Sequence, residues 1–149
     1  MVLSNEKQAI EARLDGYEIA VHAALFSADG KQLVTAHAGL NGLHVWEAGS
    51  WRLLKKIPPA EGRHLHGSAT FMQFTRDGRH LLLVDGATVK EPVQIRIYET
   101  TEWTIAGSLA VQDSECALTA LSKDGSTFAG TGGGIKKSTV VWDISTLGK

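Results

Sequence analysis

Phe26-Ser27-Ala28-Asp29-Gly30, Phe74-Thr75-Arg76-Asp77-Gly78 and Leu121-Ser122-Lys123-Asp124-Gly125 are three versions of one phrase. Each has a large apolar residue, a hydroxyl residue, a variable residue and then Asp-Gly. The aspartates stand at 29, 77 and 124, so the phrase returns after 48 and then 47 residues. A second mark follows each copy: Val45-Trp46-Glu47, Ile97-Tyr98-Glu99 and Val141-Trp142-Asp143. The aromatic trails its aspartate by 17, 21 and 18 residues. Two independent marks in the same order three times define an internal repeat, and a period of this length signals a stacked or radial array.

Each unit reads as β-strand. Apolar stretches at 19–26, 69–74 and 116–121 run into Asp-Gly, a tight-turn signal, because Gly accepts positive φ and Asp caps its own turn. Second runs follow at 32–36, 80–84 and 127–129, and third runs at 43–46, 93–98 and 139–142 lead into the aromatic-acid pair. The first two third runs alternate apolar and polar residues, the pattern of strands with one buried face. Fourth strands are expected at 51–57 and 103–109, each opening on a tryptophan.

Four short strands per repeat, ending in Trp-Asp, resemble the WD-repeat family of β-propellers over residues 16–143. Trp142-Asp143 is the family's dipeptide itself, and Trp46-Glu47 and Tyr98-Glu99 are common variants of it. Gly16-Tyr17 stands where the family has Gly-His; His66 lies near that place in the second unit, and the third has no equivalent. In the family, an Asp before the third strand joins His, Ser/Thr and Trp in a buried hydrogen-bond network. The corresponding residues are Leu40, Pro92 and Lys136, so that network is expected to be lost.

The implied fold is all-β: one partial propeller domain over 1–149, with blade units at about 16–57, 66–109 and 116–143. The aromatics at 46, 98 and 142 are expected to fill the layers between blades. The third unit lacks a fourth strand, whereas Ile10, Ala12 and Leu14 alternate with Glu11 and Arg13 before Gly16. A clasp strand at about 7–14 therefore brings the inventory to three four-stranded antiparallel blades. Propellers close with four to eight blades, so the ring is expected to be completed by oligomerisation. A homodimer of six blades is favoured over another propeller-forming chain, or over a parent protein of which this is a fragment. A helical reading of 8–14 would remove the clasp.

Fifteen basic and sixteen acidic side chains leave a net charge of −1, giving no field that attracts nucleic acid or anionic lipid. Lys55-Lys56 and Lys136-Lys137 are too short and scattered for a nucleic-acid footprint. No apolar run approaches the ~18 residues that span a bilayer. One cysteine, Cys116, cannot form an internal disulfide, and with no signal-peptide pattern the expected location is cytoplasmic.

Candidate chemistry reduces to structure at each place. The glycine-rich 130–138 lacks the Gly immediately before Lys-Ser that a phosphate loop needs, and it precedes a strand rather than a helix. His64 and His66 supply two ligands where a tetrahedral site wants three or four. His22, His37, His44 and His80 fall in or beside strands and read as surface or blade-edge residues. Cys116 opens an apolar strand just after Asp113 and Glu115, which disfavour a thiolate. Asp29, Asp77 and Asp124 follow one turn logic, and Trp51 and Trp103 are candidate partner contacts at the outer rim. The expected protein is a non-enzymatic interaction scaffold without cofactor or metal, binding itself and a protein or peptide. The alternative is a propeller enzyme with a metal in the central channel, where His22 is the lone candidate ligand.

Overall fold

The computed structural model describes residues 10–17, 20–37, 42–58, 69–85, 93–111, 116–132 and 139–146. The described residues form eleven strands in chain order: β1 (Val21–Phe26), β2 (Gln32–His37), β3 (Leu43–Glu47), β4 (Leu53–Ile57), β5 (Ala69–Phe74), β6 (His80–Asp85), β7 (Val93–Glu99), β8 (Ile105–Val111), β9 (Cys116–Leu121), β10 (Thr127–Gly132) and β11 (Thr139–Asp143). They form three antiparallel sheets, β1-β2-β3-β4, β5-β6-β7-β8 and β9-β10-β11, each a simple meander. The first strands neighbour one another, β1 beside β5 and β5 beside β9, so the sheets stack as successive blades.

The two repeat marks are physically one structure. In the first Asp-Gly turn, the Ser27 hydroxyl donates to Asp29 at 2.7 Å, and the Lys31 amide donates to the same oxygen at 3.1 Å. Thr75 and Arg79 repeat this around Asp77, and Ser122 and Ser126 around Asp124, at the same two distances. Gly30, Gly78 and Gly125 hold φ of 70°, 71° and 75°, the left-handed region that a side chain penalises. The antiparallel register then places the aromatic opposite the first core residue of the second strand: Trp46 on Leu33, Tyr98 on Leu81, Trp142 on Phe128. The amide two residues past each aromatic closes on the turn, Ala48 to Lys31, Thr100 to Arg79 and Ile144 to Ser126. The unequal spacing of the marks is therefore taken up in the links from second to third strand.

Two apolar layers between blades form the core. Leu25, Val34, Leu43, Val45 and Ile57 of blade 1 meet Phe74, Leu81, Leu83, Tyr98 and Trp103 of blade 2. The other face of blade 2, with Leu82, Val84, Ile95 and Ile97, meets Leu121, Phe128, Trp142 and Ile144 of blade 3. Leu81, Leu82, Leu83 and Val84 are buried alike because blade 2 is covered on both sides. The same fact overturns the one-faced reading of the third strands. Leu43, His44, Val45 and Trp46 are all buried, and Arg96 is 3% exposed. Arg96 faces the neighbouring blade, and His44, on the face of blade 1 that no blade covers, lies against Tyr17.

Trp51 and Trp103 precede β4 and β8 rather than open them. Each has φ of 57°, and the reversal they make is closed by Glu47 N–H donating to the Arg52 carbonyl and Glu99 N–H to that of Thr104. Residues 10–17 form neither helix nor strand in the single chain, and 7–9 of the expected clasp lie outside the described residues. So do His64, His66, Leu40, Pro92 and Lys136-Lys137, and the Cys116 side chain with them. Of the glycine-rich 130–138, residues 130–132 belong to β10, which pairs antiparallel with β11, and 133–138 lie outside the described residues.

Candidate interaction surface

Every blade has a leading face, carrying the aromatic mark, and a trailing face. Within the chain, the leading faces of blades 2 and 3 dock on the trailing faces of blades 1 and 2. The leading face of blade 1 and the trailing face of blade 3 remain without a neighbouring blade among the described residues.

Repeat-equivalent positions measure the difference. Phe74 and Trp103 meet edge to face at 6.4 Å and are 9% and 6% exposed, sealed by blade 1. Phe26 and Trp51 form the same pair at 6.3 Å on blade 1, yet Phe26 is 50% exposed and Trp51 only half-buried. Trp103 is thus part of the layer between blades, and of the two candidate contacts only Trp51 is accessible. On the trailing side, Val45 and Ile97 are 0% and 6% exposed, whereas the equivalent Val141 is 62% exposed. Ala120, Ala129 and Thr139 flank Val141, so this face is small and flat.

The leading face of blade 1 also corrects the expectation of a lost network. Trp46 Nε1 donates to Thr35 Oγ1 at 3.1 Å, and Thr35 Oγ1 stands 3.1 Å from His37 Nε2. His37 and His44 are buried, 0% and 3% exposed, and are not surface residues. Their cover is Tyr17, whose ring lies 4.5 Å from His37, 5.5 Å from His44 and 5.9 Å from Trp46. Burial pulls His37 down to about 4, helped by the charges of His44 and Lys56, and burial likewise lowers His44. Gly16-Tyr17, in the family's Gly-His place, was the sequence signal for this cluster.

The three turn aspartates line one end of the blades. Hydrogen bonds from Ser27 and Thr75 hydroxyls hold Asp29 and Asp77 below the usual carboxylate range. Ser122, with the amide and hydroxyl of Ser126, brings Asp124 to about 2. A cleft of about 310 Å³ opens between the first two turns, beside Asp29, Lys31, Asp77 and Thr100. Its carboxylates are committed to their own turns. Among the described residues no three His, Cys, Asp or Glu side chains converge as metal ligands, and His22 lies exposed on β1.

These blades define a WD-repeat β-propeller fold. The chain superposes on the crystal structure of the RRP9 WD40 repeats with a TM-score of 0.69 at 19% identity, covering 91% of this chain and 38% of that one. The structure of U3-55K gives the same TM-score and identity, with 91% and 39% covered. Kuenenia stuttgartiensis hydrazine synthase is similar at a TM-score of 0.60 and 16% identity, over 72% of this chain and 30% of that one. The chain thus spans about two fifths of the WD40 structures it matches. No protein-family model matches the sequence, and no curated protein matches it.

Proposed function

We propose that this chain is a non-enzymatic protein-interaction scaffold whose three blades are completed into a closed ring by a second copy. The observation that carries this reading is the exposure of Phe26, Trp51 and Val141 at positions whose equivalents are buried between blades. An open leading face and an open trailing face on one chain are complementary by the repeat itself. Two copies about a two-fold axis satisfy both at once, in a head-to-tail ring of six blades.

The clasp follows from the same logic. Lys55 Nζ of β4 donates to the Glu102 carbonyl, so β4 runs past the Trp103 turn of blade 2. Glu11 accepts from Trp51 Nε1 at 3.3 Å, so the N-terminal segment runs past the equivalent turn of blade 1. The parallel between these two contacts supports residues 10–14 serving as the outer strand of a preceding blade. In the dimer they pair with the open edge of β11 in the second copy, a strand-addition contact. Ile10, 70% exposed in the single chain, is buried by it.

Light scattering on a sizing column tests the reading. Twice the 16.0 kDa of one chain is expected. A folded species at the single-chain mass overturns completion by a second copy and leaves a different propeller-forming chain as the partner.

A further inference from the structure

His37 ends β2, and His44 stands near the start of β3, their ring centroids 4.4 Å apart on the leading face of blade 1. No blade covers that face, yet both rings are shut off from water. Tyr17 does this, turned onto them at Gly16, whose φ of 91° is a conformation that only glycine adopts freely. Trp46 walls the other side, 5.8 Å from His44. The Nδ1 atoms of both histidines are buried without a hydrogen-bond partner among the described residues.

A proton has nowhere favourable to go here. Lys56, directly opposite His44 in the β3–β4 register, is a positive charge felt by both rings, and it repels a second cation. Each imidazolium would also repel the other. Of the strap's own charges, Glu11 is engaged with the Trp51 indole, while Arg13 and Asp15 are exposed. Blade 2 packs on the opposite face of blade 1, and none of its described charges acts on the rings. No carboxylate among the described residues is bonded to either ring.

We propose that Tyr17, His37 and His44 form a proton-operated latch that holds residues 10–17 on blade 1 while both imidazoles are neutral and releases them when either is protonated. Because burial lowers both histidines below the ordinary 6.5, their contribution is complete above pH 6.5. It is lost as the pH falls towards 4. Acid therefore frees the strap, and with it the clasp and the leading face; this last consequence rests on the proposed assembly.

The test is a histidine-ring NMR titration of the whole chain, with the Tyr17–His37 ring contact followed by nuclear Overhauser effect. In the wild type both midpoints should fall clearly below 6.5, His37 near 4, with the ring contact disappearing over the same range. Tyr17→Ala should return both midpoints towards about 6.5, and Tyr17→Phe, which keeps the ring, should leave them low. Midpoints near 6.5 in the wild type, or a Tyr17 contact that survives once both rings have titrated, overturn the latch even if Tyr17→Ala does not fold. Light scattering at pH 7 and at a pH below the observed His37 midpoint should show the dimer falling to single chains. A single chain already at pH 7 sinks the assembly, and the titration still decides the latch.

Discussion

Replacing Thr35 with Val is the sharpest probe of the folded chain, because it removes one hydroxyl and keeps the side-chain shape. Thr35 and Trp46 are 4% and 6% exposed, and the hydroxyl accepts the Trp46 indole N–H at 3.1 Å. Val leaves that N–H buried with no acceptor and also strips the 3.1 Å partner from His37 Nε2. A buried polar group stranded in this way costs about 1–3 kcal/mol. For a chain of this size each kcal/mol moves the melting temperature by roughly 2–4 °C. Thr35→Val should therefore melt several degrees lower in calorimetry, while Thr35→Ser, which keeps the hydroxyl, should recover most of the loss. Trp46→Phe removes the donor from the other side. The double variant should be more stable than the sum of the two losses by about 1 kcal/mol, the mark of two groups sharing one bond. Thr35→Val melting with the wild type, or strict additivity with Trp46→Phe, would refute the network.

Trp103→Ala opens a large void between blades 1 and 2 and should cost about 3–5 kcal/mol in urea denaturation; Trp51→Ala, at the half-exposed equivalent place, should cost far less in the single chain. Gly125→Ala should destabilise more than Gly30→Ala in thermal melts: both force a left-handed φ, but only at 125 does the new Cβ come within 2.8 Å of Thr75 Cγ2, and Thr75→Ser, which drops that methyl and keeps the turn hydroxyl, should recover most of that excess. The Asp124 carboxylate should titrate near 2 by carbon NMR. Its folded value lies below the unfolded one, so its support of the third turn is full above about 3.8 and fades towards 2, and Asp124→Asn should remove that portion of the acid response.

The repeat was legible because its marks are made by local chemistry. A hydroxyl, an aspartate and a glycine at fixed spacing build the turn without help from the rest of the chain. The register then forces the aromatic opposite the second strand. What escaped the sequence depends on a residue's place in the arc. Phe26 and Phe74 read identically, and only the presence of blade 1 beside one of them separates half-exposed from buried. His44 and Arg96 sit at alternating polar positions that look like a solvent face. Arg96 is buried because its strand lies between two blades, and His44 because Tyr17 covers it, neither of which periodicity within one strand can report. The Tyr17 cluster was missed for a related reason: with Asp absent from its family position the network looked broken, whereas His37, two residues along β2 from Thr35, supplies a different third member.

The central claim is that the two open faces of the arc fit one another, and mixing two variants tests it most directly. Phe26→Asp spoils the leading face and Val141→Asp the trailing face, both at exposed positions that the single chain tolerates. In a head-to-tail ring either variant alone damages both contacts, so each should sediment as a folded single chain. An equimolar mixture restores one intact contact, the clean trailing face of the first against the clean leading face of the second. A species of twice the single-chain mass should then reappear only on mixing. Variants that dimerise as the wild type does, or a mixture that stays at the mass of one chain beside a dimeric wild type, would contradict the account.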